Sequence, residues 1–265
     1  MSTSWKKVTI ARDLKRPKAL SYIDSLFDGF MEFKGDRLCG EDSAIVGGIA
    51  KFKGRSVTVI GIQKGSTINE NIKRNFGMPK PEGYRKALRL MKQAEKFKRP
   101  VIIFVDTPGA FCGVESEERG IGEAIAKNLM EMAKLKTPII SIFIGEGGSG
   151  GALALAVADE IWMLENSIFS ILSPEGMASI LYKDASKAKD IADQMKITSS
   201  DLYKFNIVDR VIKEPEDGAE ADFQRIIESL TINLKDALCR MDLEPIDYLL
   251  EKRYSKFRKI GSYNS

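Results

Sequence analysis

The sequence predicts an α/β protein built on a mainly parallel sheet. Three observations carry that expectation. Val101-Ile102-Ile103-Phe104-Val105 and the stretch from Pro138 to Ile144 are continuous apolar runs, the pattern of strands buried on both faces. Segments whose apolar residues recur at helical spacing lie between such runs. The elements follow in the order strand–strand–helix, strand–helix, strand–helix, strand–strand–helix, which favours parallel pairing with crossover helices.

Taken in order, residues 8–35 read as helical. Leu20, Ile23, Phe27, Phe30 and Met31 recur at helical spacing, and Pro17 suits a helix start. This segment is expected to be a docking arm or a cap on the main domain, ended by Gly35-Asp36-Arg37. Ala44 to Phe52 and Ser56 to Ile62 are β-branched stretches around a Lys53-Gly54-Arg55 turn, a hairpin or β–β step. Gln63 to Pro81 is polar and rich in Gly, Asn and Lys, and reads as a functional loop. A helix is expected from Glu82 to Lys98, with Tyr84, Ala87, Leu88, Leu90, Met91 and Ala94 on its apolar side. Pro100 stops it, strand 101–105 follows, and Asp106 to Phe111 reads as a turn or loop. A long helix is expected from Glu117 to Lys136, then a strand from Ile139 to Ile144, then a helix from Gly151 to Ala158. Glu160 to Leu164 and Ser167 to Leu172 read as a second two-strand step. Ser173-Pro174-Glu175-Gly176 opens a helix to Leu181. Residues 184–213 read as helices and a short strand, Val208 to Ile212; 214–222 as an acidic loop; 223–260 as amphipathic helix. The expected division is an N-terminal helical arm (1–36), a core (37–213) and a C-terminal helical segment (214–265), with no fixed-period repeat.

With 265 residues, 43% hydrophobic and 29% charged, the chain can bury a substantial core in one large or two small domains. Its apolar runs are too short for a transmembrane helix, and Met1-Ser2-Thr3-Ser4-Trp5-Lys6-Lys7 has no apolar stretch behind it to make a signal peptide. A cytoplasmic protein is the expectation. The net charge of +4 suits anionic ligands such as CoA or nucleotides. Basic residues cluster only at Lys252-Arg253 and Lys256-Phe257-Arg258-Lys259, weak support for a regulatory or nucleic-acid-binding role. Cys39, Cys112 and Cys239 form no Cys-x-x-Cys pair, which argues against a disulfide framework and a structural zinc in this chain. The chain has no histidine. That excludes a Ser-His-Asp triad, a Cys-His pair and a histidine metal ligand of its own.

The stretch Ile144-Gly145-Glu146-Gly147-Gly148-Ser149-Gly150-Gly151-Ala152 joins an apolar strand to a helix start. Bare backbone N–H groups at that junction suit an anion or a developing negative charge; the alternative is a strand–helix crossing that needs glycine only for close packing. Gly145-x-Gly147-x-x-Gly150 matches the dinucleotide fingerprint, with Glu165 about where the ribose acid belongs. Four strands precede it and another strand follows the acid directly, which is the wrong context. Gly147-x-Ser149-x-Gly151 matches a nucleophile elbow, but a histidine-free chain cannot complete the usual triad. Asp106-Thr107-Pro108-Gly109-Ala110 also follows a buried strand, where open α/β sheets bind ligands. The two turns together could supply convergent N–H donors for an oxyanion. A third group, Gln63-Lys64-Gly65 through Lys73-Arg74-Asn75-Phe76-Gly77-Met78-Pro79, could hold phosphates or a carboxylated ligand, or be an ordinary charged surface loop. Glu117, Glu118, Arg119 and Glu146 lie at loop or helix-start positions, where acids commonly serve only the helix dipole.

At these motifs the sequence resembles the alpha subunit of bacterial acetyl-CoA carboxylase carboxyltransferase. The resemblance runs through Asp36-Arg37, Ala44 to Ala50, Arg74-Asn75-Phe76-Gly77-Met78-Pro79 to Met91, Asp106 to Ala110, Glu117-Glu118-Arg119-Gly120, Gly145 to Ala154 and Ser173 to Gly176, in order over roughly residues 5–260. It implies a crotonase-like spiral of β–β–α units. It implies carboxyl transfer from carboxybiotin, borne on a separate biotin carboxyl carrier protein, to acetyl-CoA, giving malonyl-CoA for fatty acid synthesis. Also implied are a zinc-ribbon beta subunit in an alpha2beta2 assembly, a biotin carboxylase partner and ATP binding, with no metal, membrane or nucleic acid for this chain. Gly150 and Gly151 are then the backbone oxyanion donors on the biotin side, and Gly109 and Ala110 the opposite wall. Gly147, Gly148, Lys64, Arg74 and Phe111 are the expected substrate contacts. The sequence departs from the family pattern at Ile62 and Ser66, where His and Arg are common, and at Phe111-Cys112 in place of Tyr-Pro. The alternative is a biotin-dependent carboxyltransferase or decarboxylase subunit acting on another acyl-CoA.

Overall fold

The computed structural model describes residues 4–261; residues 1–3 and 262–265, the outer ends of the first and last predicted segments, lie outside the described residues. The chain opens with helices α1 (Ser4–Ala11) and α2 (Ala19–Leu26) and strand β1 (Asp28–Glu32). It continues through β2 (Ile45–Phe52), β3 (Arg55–Ile62), α3 (Ile68–Lys73), α4 (Pro81–Lys96), β4 (Val101–Thr107), α5 (Val114–Glu118) and α6 (Ile121–Lys134). Then come β5 (Ile139–Gly148), α7 (Ser149–Leu153), β6 (Glu160–Leu164), β7 (Ile168–Ser170), α8 (Pro174–Tyr182), α9 (Ala188–Ala192), α10 (Ser199–Lys204) and β8 (Arg210–Ile212). Two long helices finish the chain, α11 (Phe223–Asp242) and α12 (Ile246–Arg258).

One sheet runs in the order β1-β2-β3-β4-β5-β6-β8, with β7 beside β5. The β1–β2 and β2–β3 pairs are antiparallel and the rest are parallel. Both faces of the central strands are covered, and their side chains alternate between two cores. Ile60, Val101, Ile103, Val105, Ile139 and Phe143 pack under α4 and α6. Val59, Ile102, Phe104, Ile140, Ile142 and Ile144 pack under α2 and α11. That double demand explains why the sequence shows unbroken apolar runs here. Each such side chain, fully buried, contributes roughly 1.5–3 kcal/mol.

Four expectations are corrected. Residues 28–32 form the edge strand β1, not the end of a helix: its residues are mostly exposed and pair along β2. The expected loop at 63–81 contains α3, capped by Thr67, whose side chain accepts the Glu70 N–H. The long helix expected from 117 breaks at Gly120, which takes φ +77°. β6 and β7 do not pair with each other; they lie in succession along β5, both parallel to it. The N-terminal segment packs directly on the sheet, with Ala19, Tyr22 and Ile23 wholly buried. Among the described residues no helix is long and apolar enough to cross a membrane.

Candidate active site

The two βα turns singled out in the sequence meet at the carboxyl ends of β4 and β5, where Thr107 pairs with Gly147. Thr107 closes the first turn on itself. Its Oγ1 accepts the Gly109 N–H (3.0 Å) and donates to the Gly109 carbonyl (2.7 Å). The Gly109 N–H is therefore already used within its own turn, and the Gly109–Ala110 backbone forms a wall. The second turn lies against that wall. A Cβ on Gly148 would overlap the Pro108 carbonyl, and one on Gly151 would overlap the backbone of Gly109 and Ala110. Close packing thus accounts for glycine at 148 and 151. It does not account for Gly150, where the nearest atom a Cβ would meet is Ile125, at 3.8 Å.

Helix α7 begins at Ser149, so the N–H groups of Ser149, Gly150 and Gly151 fall in its first turn and have no carbonyl within the helix to pair with. The Tyr84 hydroxyl of α4 donates to the Gly151 carbonyl (3.0 Å) and ties the turn to the core. Ser149 is exposed and takes φ +48°, the strained strand-to-helix geometry of an elbow. The chain holds no histidine to activate it. An apolar cleft of about 370 Å³ opens beside Gly150, walled by Leu153, Phe169, Ile171, Leu202 and Ile207.

Beneath the turn lies a charge network. Lys64 was expected to meet an anionic ligand, but its ammonium meets two carboxylates of this chain, Asp106 (2.7 Å) and Glu146 (2.8 Å). Arg12 of the N-terminal segment joins it, donating through Nε to Glu146 (2.6 Å) and through NH1 to Glu175 (2.6 Å) at the start of α8. Burial disfavours the Glu146 carboxylate, but Lys64 and Arg12 outweigh it and hold the group below its ordinary range. Burial likewise works against the Lys64 charge, and Asp106 and Glu146 reverse it, so its pKa is raised. Arg16, wholly buried, donates through Nε to the Ile144 carbonyl (2.5 Å) and pairs with Glu214 (2.8 Å). Composition and motif reading missed Arg12, Arg16 and Glu175. Glu175 stood in the Ser173–Gly176 motif without a role, and the arginines showed only as two of a kind four residues apart, which names no partner.

The other predicted contacts fall as follows. Gly147 and Gly148 line a small cavity with Arg12, Pro108 and Glu146. The Phe111 N–H donates to the Pro79 carbonyl (2.9 Å), and Lys80 sits 5.1 Å from the Phe111 ring centre. Arg74 donates to the Ser43 carbonyl (2.9 Å). Three of the five C-terminal basic residues are paired internally: Arg253 is buried on Asp159, Lys256 pairs with Asp209 and Lys252 with Glu244. The cluster offers no free basic face at those three positions.

The family model described as acetyl co-enzyme A carboxylase carboxyltransferase-like matches residues 2–261. The chain belongs to the acetyl-CoA carboxylase carboxyltransferase family. A carboxyl transferase subunit alpha of this family from Clostridium acetobutylicum is 64% identical over 261 residues, covering 98% of this chain and 95% of that one. A Clostridium tetani protein named as carboxyl transferase subunits beta/alpha is 59% identical over 263 residues, covering 99% of this chain and 46% of that one. Among solved structures, a Pseudomonas malonate decarboxylase hetero-tetramer in complex with coenzyme A superposes with a TM-score of 0.68 at 19% identity, over 89% of this chain and 91% of that one. The fold is thus the crotonase-like fold of the carboxyltransferases. Family membership makes the chain a transferase subunit.

Proposed function

We propose that the glycine turn is the biotin-side half of a split carboxyltransferase site, whose reaction is the family's: carboxyl transfer to acetyl-CoA, giving malonyl-CoA. The supporting observation is the first turn of α7, where backbone N–H groups without helical acceptors border an apolar cleft. That pairing suits the bicyclic ureido head of carboxybiotin, which has an apolar body and a polar carbonyl. Carboxybiotin, borne on a carrier protein charged by a biotin carboxylase, would supply the carboxylate here, with negative charge left on its ureido group. Gly150 and Gly151 would meet that charge with N–H donors, worth several kcal/mol at the barrier and requiring no titratable group. Gly109 and Ala110 would keep the donors from turning away. The acetyl-CoA half would come from a zinc-ribbon beta subunit in an alpha2beta2 assembly; the fused beta/alpha relative supports that partnership.

The departures from the family pattern sort by position. Ile62 is fully buried in the core, so that change is one of packing. Ser66 and Cys112 are exposed, and Phe111 is half-buried; these are the positions to test for acyl choice, with an acyl-CoA panel on the reconstituted complex. The division into arm (1–36), core (37–213) and C-terminal segment (214–265) belongs to the same proposal.

Gly150→Val separates chemistry from folding better than Gly151→Val, because only Gly150 has room for a Cβ. In a complex with the beta subunit, Gly150→Val keeps its backbone N–H but crowds the cleft that residue 150 lines, holding the biotin head off the donors. It is expected to assemble and melt like the wild type while carboxyl transfer falls by about a hundredfold or more. Full turnover by the assembled variant would contradict the assignment.

A further inference from the structure

The ladder between β4 and β5 is broken just before the glycine turn. Val105 pairs with Phe143 and Thr107 with Gly147, so Asp106 alone stands opposite Ile144, Gly145 and Glu146. Bulges of this kind bend a strand and re-aim the residues beyond them. Each of these three residues is held by a named group. Arg16 takes the Ile144 carbonyl. The Asp106 carboxylate lies where a side chain on Gly145 would be. The Glu146 N–H donates to Asp106 Oδ1 (3.0 Å). Lys64 then spans the bulge, bonding Asp106 on β4 and Glu146 on β5 with one ammonium. Its stem is covered by the Asn75–Gly77 turn, whose Gly77 leaves no room for a Cβ beside Lys64.

We propose that Lys64 is a positioning residue, a clamp that fixes the 144–146 bulge and thereby the aim of the Gly148–Gly151 turn. The proposal rests on the functional reading above for its catalytic consequence, but not for its mechanical one. Without Lys64, Asp106 keeps the Glu146 N–H, while its Oδ2 already has no hydrogen-bond partner among the described residues. Two buried carboxylates would then repel across the bulge, and Arg12 reaches only one of them. Neutralising Glu146 as well removes that repulsion, which gives the double variant its meaning.

The test uses full-length chain in the reconstituted complex, with Lys64→Met, Glu146→Gln and the pair combined. Amide hydrogen exchange is read first, because it needs no substrate. Lys64→Met is expected to speed exchange about tenfold or more at residues 144–151 while the rest of the sheet stays protected. Carboxyl transfer should lose about 10- to 100-fold in kcat with KM within threefold, as a misaimed turn would give. The combined variant should recover part of both losses, and Glu146→Gln, which keeps the side-chain shape, should be milder than Lys64→Met. Wild-type exchange at 144–151 in Lys64→Met would overturn the clamp, as would acceleration spread evenly over the sheet or a double variant worse than Lys64→Met alone. A rise in KM with kcat unchanged would overturn it too, by returning Lys64 to ligand contact. A wild-type complex without carboxyl transfer would defeat the functional reading, and the exchange data would still decide the clamp.

Discussion

Two buried cation clamps sit at opposite ends of the sheet, with strand β5 common to both. At the carboxyl ends of β4 and β5, Lys64, Arg12 and Arg16 hold the bulge beneath the glycine turn. At the amino ends of β5 and β6, Arg253 of α12 donates to the carbonyls of Met132, Leu135 and Thr137 and to both oxygens of Asp159. Asp159 in turn accepts the Ile139 N–H (2.7 Å). The chemistry of the two is alike, yet the balance differs. At Glu146 the cations outweigh burial and favour the charged form; at Asp159 burial outweighs Arg253 and lifts the carboxyl above its ordinary value. Their surroundings differ more. Parallel sheets bind ligands beyond the carboxyl ends of their strands, and the first clamp lies beneath a helix start whose first N–H groups have no acceptor within the helix. The second ties α12 to the sheet. Similar burial and similar ion pairs therefore carry different consequences: one end governs aim, the other stability.

The largest effect that would sharpen this contrast is at Gly151. Gly151→Val drives a side chain into the Gly109–Ala110 backbone, so transfer should be abolished and the turn displaced. A crystal structure of the variant with an unmoved turn would break the close-packing account. Next is Arg253→Met, expected to cost about 3–5 kcal/mol in denaturant unfolding because it strands Asp159 in the interior. The fraction that stays folded should turn over normally, and a kcat loss at constant stability would erase the distinction between the two ends. Smaller is the effect of Asp36, whose carboxylate accepts the N–H groups of Leu38, Cys39 and Gly40 and pairs with Arg85. Burial opposes its charge, but those bonds hold its pKa down at about 2. A depressed carboxylate adds stability above its unfolded pKa of about 4 and loses it as pH falls through the folded value. Wild-type stability should therefore drop between about pH 4 and 2, and Asp36→Asn should flatten that part of the curve. Smallest is Lys80→Met, which removes the cation over Phe111 and should cost less than about 1 kcal/mol in thermal melts.

The central strands were legible because each feeds two cores, which leaves unbroken apolar runs such as Val101 to Val105. Strand β1 was not, because Phe27, Phe30 and Met31 mimic helical spacing while the strand stands half in water at the sheet edge. The extension of β5 through Gly148 was also hidden. Glycine has no strand preference to read, and the pairing with β7 that makes it a strand lies about twenty residues on. The site was legible as two turns, since motif and position agree there. Its supports were not. Lys64, Asp106 and Glu146 are some forty residues apart from one to the next, and Arg12 lies 134 residues from Glu146. Only the folded sheet brings them together, so Lys64 read as a ligand contact and Glu146 as an ordinary acid near a helix start.

The sharpest test sets Gly150→Val beside Arg253→Met in the same reconstituted complex and measures kcat for carboxyl transfer per assembled enzyme. A backbone oxyanion site at the glycine turn predicts a loss of about a hundredfold or more for Gly150→Val at unchanged melting temperature, and wild-type kcat for Arg253→Met despite a lowered one. Equal losses in both, or full turnover by Gly150→Val, would contradict it.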